Sequence, residues 1–464
     1  MFFVFIAYLP IQATPGAWQK INTPHFTILF PTPLKREAHR VANTLEHIYG
    51  PVSQSLKINP AKITVILRNQ TTLSNGFTSL MPWKVEYFTF PMHDYNFSYN
   101  NDWLELLSVH EFRHVVQFEH LKKKFGWFPP WLLEGDAVGI ETALTTGGRG
   151  RIPYFGLLYK TNLLEREEFS YTKRFWGSYK DPIPDYYKLG YYVTTHLRSK
   201  YGKDVMDKIF QELGIFTSFS TVIKKVTGKD LDEIYQDTNQ ELKALWTQQL
   251  KGLRITPVKP INQRNEHPTY TDYLYPKPWK KYMIALKQGL ADAPQFVCID
   301  AYGQENILLK PGYIQQQAGF SIAQDQLIWI EQVPHIRWED HSYAVIQLYN
   351  LTTHQRKQLT QESRYATAAL SPDGSKIVAL ESDEAYNHQL VILNTQTGQV
   401  LQRIPNPKNH YYFNPCFSPD GKSILAIKQT KEQNIITLIN LRTGVSQDFI
   451  PPTTASIGCP VLAG

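Results

Sequence analysis

The chain has 464 residues, of which 19% are charged and 13% aromatic, and its formal net charge is +7. This composition excludes a disordered chain and indicates a globular protein of roughly two or three domains. The longest basic run is Lys122–Lys124, so we expect no nucleic-acid partner. Cys298, Cys416 and Cys459 are too far apart in sequence to indicate a disulfide framework or a cysteine metal site.

The N-terminal segment is apolar from Phe2 to Leu9, which is too short to cross a bilayer as a helix. It resembles the apolar region of a secretory signal, with cleavage after Ala13 or Ala17. A buried N-terminal strand is the alternative. We therefore predict a periplasmic or secreted protein of bacterial type, with association with the cell envelope as a variant of this prediction. We predict no transmembrane helix.

Residues 18–91 have the pattern of a small α/β unit. Alternating apolar residues predict strands at His25–Phe30, Lys62–Arg68 and Lys84–Pro91. A helical period predicts a helix between the first two strands, at Leu34–Leu56. Pro91 suits a strand at the edge of a sheet, because proline cannot donate a ladder hydrogen bond.

An H-E-x-x-H pentad follows, in a stretch from about 102 to 121 with apolar residues at helical spacing. Residues four apart share a helix face, so His110 and His114 can direct two imidazoles at one metal ion. Zn²⁺ binds imidazole nitrogen and has three protein ligands in a catalytic site. Glu111 lies beside them, where a carboxylate can accept a proton from water at the metal.

Glu134 is the candidate third ligand. Two prolines precede a second helix that starts near Trp131. The chain after His114 is long enough for a turn and an antiparallel helix, which would return Glu134 to the metal and leave the fourth position to water. The alternatives are two core histidines and a carboxylate favoured by a helix N-terminus.

The strings HEFRH and WLLEGDA together resemble the gluzincin branch of the zinc peptidases, and most closely the bacterial peptidase MA-like domain. This resemblance implies an α+β metallopeptidase domain with one Zn²⁺. It implies that His110, His114 and Glu134 are the ligands and that Glu111 is the general base. Arg113 departs from the commoner small residue inside the pentad, and we expect it to face away from the metal.

Gluzincin-like folds also bind an extended substrate along an edge strand. By this analogy Val85–Phe90 is the candidate strand, and an ordinary sheet edge is the alternative. Tyr187–Gly190 resembles the Y-x-K-G neighbourhood of gluzincin aminopeptidases, although its lysine falls one place early. There a tyrosine hydroxyl stabilises the oxyanion, a role that a neutral phenol suits, so Tyr187 is our candidate. Tyr186 competes with it, and a packing role is equally open.

The chain after Glu134 is predicted to be largely helical to about Gly252, ending in a helix over about 230–250. Asp136 and Glu141 could orient the ligand imidazoles, or they could be ordinary carboxylates on a helix face. His196 is predicted to be structural.

A polar, proline-bearing linker at Thr256–Pro268 precedes a region of short strands and turns. The string Ser-Pro-Asp-Gly occurs at Ser371 and at Ser418, with a degenerate copy around Ser321. A repeat of roughly 40–50 residues with four strands per unit predicts β-propeller blades. The strings resemble those of TolB-like and tricorn-like propellers.

In such blades the Asp-Gly pair forms a tight turn, so Asp373 and Asp420 are predicted to be turn residues. The units end near 312, 360, 405 and 451, and Ile457–Pro460 would open a fifth. Because these propellers commonly have more blades, we expect the sequence to be a fragment of a longer protein. A closed four-bladed ring is the alternative.

The sequence thus predicts a multidomain protein. Residues 1–17 are the signal peptide, 18–255 the metallopeptidase-like domain, 256–268 the linker and 269–464 a C-terminally truncated propeller. The predicted function is zinc-dependent hydrolysis of peptides or proteins, with the propeller controlling substrate access or docking a protein partner. Two alternatives remain, a weak or inactive scaffold whose propeller binds a partner and a zinc hydrolase of non-peptide amides or esters.

Overall fold

The structure is a computed structural model of the chain. It describes residues 17–54, 56–92, 103–122, 128–166, 168–214, 216–254, 256–262, 269–314, 319–430, 433–453, 457–458 and 460–461. The predicted signal segment, except Ala17, lies outside the described residues, as do residues 263–268 of the predicted linker and Cys459 in the predicted fifth blade. A helical region with one sheet comes first, and an all-β region of several sheets follows.

The first region contains a five-stranded sheet. Its strands are β1 (Trp18–Asn22), β2 (Phe26–Pro31), β3 (Ile63–Arg68), β4 (Ser74–Leu80) and β5 (Trp83–Thr89). Their order is β1-β2-β3-β5-β4, with β2, β3 and β5 parallel and the two outer strands antiparallel.

The prediction that Val85–Phe90 forms the sheet edge is wrong. Strand β5 lies between β3 and β4, so β4 is the edge. Pro91 follows the last paired residue of β5 and therefore removes no ladder hydrogen bond. Strand β4 has the sequence SNGFTSL, whose serine, asparagine and glycine have low strand propensity, and the sequence pattern did not reveal it.

Nine α-helices are described. They are α1 (Lys35–Gln54), α2 (Trp103–Leu121), α3 (Pro130–Leu144), α4 (Pro153–Glu165), α5 (Tyr171–Trp176), α6 (Tyr186–Tyr201), α7 (Val205–Glu212), α8 (Phe219–Thr227) and α9 (Leu231–Leu250). The side chains of Asp185 and Ser218 cap α6 and α8, and Asp230 with Glu233 forms a capping box on α9. None of the described helices combines the length and apolar character of a membrane span.

Helix α2 is buried over most of its length, because α1, α3 and the sheet surround it. Phe112 packs edge-to-face against Phe26 of β2, with ring centroids 5.3 Å apart. Val109 and Val115 are fully buried on either side of Phe112. The pentad therefore lies on a helix that the hydrophobic core fixes in place.

The second region consists of antiparallel sheets, of which four are described, three with four strands and one with five. Blade 1 is β6 (Thr271–Trp279), β7 (Tyr282–Gly289), β8 (Gln295–Ile299) and β9 (Glu305–Leu309). Blade 2 is β10 (Tyr313–Ile314), β11 (Phe320–Ala323), β12 (Gln326–Pro334), β13 (Ser342–Asn350) and β14 (Arg356–Gln358), with β10 and β11 both paired to β12. Blade 3 is β15 (Tyr365–Leu370), β16 (Lys376–Ser382), β17 (His388–Asn394) and β18 (Val400–Arg403). Blade 4 is β19 (Tyr411–Phe417), β20 (Ser423–Gln429), β21 (Asn434–Asn440) and β22 (Ser446–Asp448).

The prediction of repeated β-sheet units is confirmed, with four strands in three of the described sheets and five in blade 2. Contacts join β6 to β11, β11 to β15 and β15 to β19, so successive blades are neighbours through their early strands. This is the arrangement of the inner strands in a propeller.

The two Ser-Pro-Asp-Gly strings form the same turn. In one, Asp373 Oδ1 accepts hydrogen bonds from the Ser371 hydroxyl and the Ser375 N–H. In the other, Asp420 Oδ1 accepts from the Ser418 hydroxyl and a backbone N–H two residues on. The following glycines have φ of 71° and 69°, which a side chain would disfavour. The prediction that both aspartates are turn residues is confirmed.

Candidate metal centre

Helices α2 and α3 bring the three predicted metal ligands together. Glu134 Oε2 lies 3.1 Å from His110 Nε2 and 3.2 Å from His114 Nε2. The two Nε2 atoms are 3.2 Å apart. Among the described residues, His110, His114 and Glu134 form the one group of three histidine, cysteine or carboxylate side chains that are close enough together to hold a metal ion.

These separations fit zinc. Zn–N bonds of about 2.0 Å place neighbouring ligand atoms of a tetrahedral ion about 3.3 Å apart. Two imidazoles and one carboxylate are the donor set of a catalytic zinc with one position left for water. His110 and His114 are buried, whereas one fifth of the Glu134 side chain is exposed, so solvent reaches the centre from the Glu134 side.

Glu141 orients His110. Its Oε2 lies 2.8 Å from His110 Nδ1, and Arg149 donates to both carboxylate oxygens, at 2.7 and 2.8 Å. Burial alone would raise the pKa of Glu141, but the Arg149 charge and hydrogen bonds outweigh it and lower the pKa to about 2. Arg149 Nη2 also lies 2.8 Å from His110 Nδ1. An anionic Glu141 can accept a proton from Nδ1, and the Nε2 lone pair is then available for a metal ion.

His114 is held through an intermediate residue. Its Nδ1 lies 2.8 Å from Gln117 Oε1, and Gln117 Nε2 donates to Asp136 Oδ2 at 2.8 Å. Asp136 therefore acts on the imidazole through Gln117. Arg113 Nε donates to the same Asp136 oxygen at 2.6 Å, and Arg198 pairs with the other one. Arg113 faces away from the ligand atoms, as predicted.

Edge strand β4 positions the predicted general base. Thr78 donates to Glu111 Oε2 at 2.9 Å. The strand lies close to α2, since a Cβ on Gly76 would be 2.5 Å from Leu107 Cδ1. Glu111 is buried, so this hydrogen bond aims its carboxylate within a confined space.

Tyr187 lies beside His110, and their ring centroids are 6.1 Å apart. The Arg149 guanidinium is 5.0 Å from the centre of the same phenol. Burial raises the pKa of Tyr187 above its ordinary range, and the Glu134 charge adds to this, so the hydroxyl stays protonated and can donate. Tyr186 stacks on Tyr187 from the solvent side and is about half exposed.

Close packing of α6 on α3 places Tyr187 there. A Cβ on Gly135 would be 2.1 Å from the carbonyl carbon of Gly190, and a Cβ on Gly190 would be 1.9 Å from Trp131 O. Only glycine fits at both positions. Tyr187 is one helical turn before Gly190. Gly135 in WLLEGDA and Gly190 in the Tyr187–Gly190 string therefore both allow the close packing that brings Tyr187 to His110.

Sequence reasoning missed Gln117, Arg149 and Thr78. Gln117 had a usable signal, because it lies one helical turn after His114. Arg149 and Thr78 reach the centre through a turn and an edge strand whose positions the sequence pattern did not indicate.

Comparison with known proteins gave no matching family model and no similar curated protein. Among solved structures, TolB from Acinetobacter baumannii is 16% identical with a TM-score of 0.32, over 39% of this chain and 44% of that one. A putative TolB from Agrobacterium tumefaciens is 12% identical with a TM-score of 0.30, over 37% of this chain and 61% of that one. An acylaminoacyl peptidase from Pyrococcus horikoshii is 11% identical with a TM-score of 0.28, over 40% and 33%.

The chain thus covers less than two thirds of each of these solved proteins. Two of the three are TolB proteins, the family that the Ser-Pro-Asp-Gly strings resemble. At such identities and TM-scores these likenesses assign neither an activity nor a partner to this chain. The resemblance of HEFRH and WLLEGDA to gluzincins stays a prediction.

Proposed function

We propose that this protein is a zinc-dependent peptidase of the gluzincin type. The observation that supports this most directly is the convergence of His110 Nε2, His114 Nε2 and Glu134 Oε2, with Glu111 next to His110 on the same buried helix. These three residues would hold one Zn²⁺. The bound ion would supply an electrophile that acidifies water and polarises a carbonyl.

Glu111 performs the proton transfers in this proposal. Its carboxylate accepts a proton from the attacking water as the new C–O bond forms. It then donates that proton to the leaving amine as the C–N bond breaks. The Thr78 hydroxyl lies 2.9 Å from one carboxylate oxygen and 3.0 Å from the Glu111 carbonyl oxygen, so the other carboxylate oxygen is assigned the proton exchange.

Tyr187 stabilises the negative charge that develops on the carbonyl oxygen. Its phenol is neutral, largely buried and adjacent to a predicted metal ligand, which suits a donor that strengthens its hydrogen bond in the transition state. The Arg149 guanidinium, which pairs with Glu141, lies 5.0 Å from the centre of the Tyr187 ring and helps to hold the phenol in place.

The substrate is a peptide or protein segment in extended form. Strand β4 pairs only with β5 among the described strands, so its other edge can form backbone hydrogen bonds with a peptide. The strand also carries Thr78, which contacts Glu111. A peptide on this edge would run past the metal centre, so β4 replaces Val85–Phe90 as the candidate substrate strand.

We further propose that the protein acts in the periplasm or outside a bacterial cell, because its N-terminal segment resembles a secretory signal. The blades would control substrate access or dock a protein partner.

Metal removal tests this function. The purified chain should contain about one zinc per molecule and cleave a broad peptide pool, as read by mass spectrometry. A chelator should abolish cleavage, and added zinc should restore it. Small acyl esters tested in parallel separate a peptidase from an esterase. Zinc retention without any cleavage would contradict the proposal and favour the scaffold alternative.

A further inference from the structure

The connection Asn69–Leu73, which joins β3 to edge strand β4, is held by blades 2 and 3. Gln332 of β12 donates to the Thr72 hydroxyl at 2.7 Å. The hydroxyls of Ser342 and Thr71 are 2.6 Å apart, and Asn69 donates to the Glu384 carbonyl at 2.8 Å. The side chains of Thr71 and Thr72 are buried, so this part of the interface is a polar contact shielded from water.

Tyr386, at the tip of the β16–β17 hairpin, contacts the end of β5. Its hydroxyl lies 2.7 Å from the Thr89 hydroxyl, and its ring packs edge-to-face on Phe90 with centroids 5.8 Å apart. Thr89 is the register partner of Ser74, the first residue of β4. Tyr386 therefore stabilises the start of edge strand β4 through its contact with the neighbouring strand β5.

The backbone of Tyr386 is in the left-handed region, with φ of 58°. Residues with bulky side chains rarely adopt this conformation. Backbone strain of this kind persists where surrounding contacts require it. Asp383 supports the turn by accepting hydrogen bonds from the N–H groups of Ala385 and Asn387. The strained turn directs the buried Tyr386 side chain at the catalytic sheet.

These contacts converge on the strand that serves the metal centre. Blades 2 and 3 hold the residues just before β4 and the partner of its first residue. Four residues along the same strand, Thr78 donates to Glu111. A shift of β4 would move the Thr78 hydroxyl relative to the Glu111 carboxylate, and displacements of about 1 Å can cost large factors in rate.

We propose that the blades are a positioning part of the active site, because Gln332, Ser342 and Tyr386 fix β4 and thereby orient Glu111. This inference rests on the proposed peptidase function and assigns these three residues a role in the same site. They touch neither substrate nor metal, so they are positioning residues.

The test uses the whole 464-residue chain, loaded with zinc, with Tyr386→Phe, which removes one hydroxyl and keeps the ring. Tyr349→Phe is the matched control, because the described partners of the Tyr349 hydroxyl, Leu308 and His354, both lie within the blades. Hydrogen exchange of the Ser74–Leu80 amides is measured alongside zinc content, kcat and KM. We expect Tyr386→Phe to accelerate this exchange about tenfold and to lower kcat about threefold or more, with zinc content unchanged. The control should change none of these.

A double-mutant cycle tests the route through Thr78. If Tyr386 acts through β4, its effect on kcat should largely disappear in a Thr78→Val background, whereas independent effects would add. Additive effects, or wild-type exchange in both Tyr386→Phe and Gln332→Ala, would overturn the inference. The exchange measurement needs no turnover, so a protein that cleaves no peptide would refute the proposed function while the positioning of β4 is still decided.

Discussion

The candidate metal centre and the blade turns both contain carboxylates that accept several hydrogen bonds. Their hydrogen-bond partners differ in how far away they lie along the chain. Asp373 bonds to residues two positions away. Glu141 bonds to His110, 31 residues away, and Asp136 pairs with Arg198, 62 residues away. A turn is therefore specified by its own few residues, whereas the centre exists only once distant helices have packed.

The largest effect should come from removing a predicted ligand. His114→Ala takes one of three donors from the centre, so zinc should be lost and peptide cleavage should fall about 10³-fold or more. Zinc content and cleavage rate are the measurements. His196→Ala is the control, since His196 is also a buried helical histidine but pairs with Glu241 away from the centre. Equal zinc content in the two variants would contradict the assignment of His114 as a ligand.

The long-range and local carboxylates can be compared directly by their effect on stability. Asp136→Ala removes the buried carboxylate that pairs with Arg113 and Arg198, and we expect the free energy of unfolding to fall by about 3–5 kcal/mol. Asp373→Ala removes hydrogen bonds at an exposed turn and should cost about 1 kcal/mol. Chemical denaturation of both variants gives the two values. Similar losses would contradict the contrast between the regions.

The difference between local and long-range partners explains which features could be predicted from the sequence. The pentad, Glu134 and the Ser-Pro-Asp-Gly turns are short strings with their own chemistry, and their geometry follows from helix period and turn type. By contrast, no recognisable motif contains Thr78, Arg149 or Gln332. Their roles depend on which strand is the edge, how a turn packs and where the blades dock, and these are properties of tertiary contact.

Removing the charge of Glu141 should weaken zinc binding without abolishing it. Glu141→Gln keeps the size of the side chain but no longer offers His110 an anionic acceptor. We expect the zinc Kd to rise about 10–100-fold in competition with a chelator. Glu241→Gln alters the corresponding partner of His196 and should leave zinc affinity unchanged. An unaltered Kd in Glu141→Gln would show that the long-range contact does not support the ligand.

The smallest effect concerns Asp207, whose pKa is raised to about 6, mainly by burial. Because the folded pKa lies above the unfolded value, this stability contribution is complete below about pH 4 and is lost as pH rises through 6. Asp207→Asn should therefore stabilise the protein at pH 8, by less than about 2 kcal/mol since the side chain is only partly buried, with little change at pH 4. Melting curves at both pH values test this, and an equal shift at both would contradict it.

The most direct test of the central claim is zinc content together with peptide cleavage in the wild type and in Glu111→Gln. Glutamine retains an oxygen that can accept from Thr78 but cannot take up a proton at neutral pH. We expect about one zinc in both proteins, cleavage by the wild type and a loss of about 10³-fold or more in the variant. Cleavage by Glu111→Gln at the wild-type rate, or a folded wild type that binds no zinc, would contradict it.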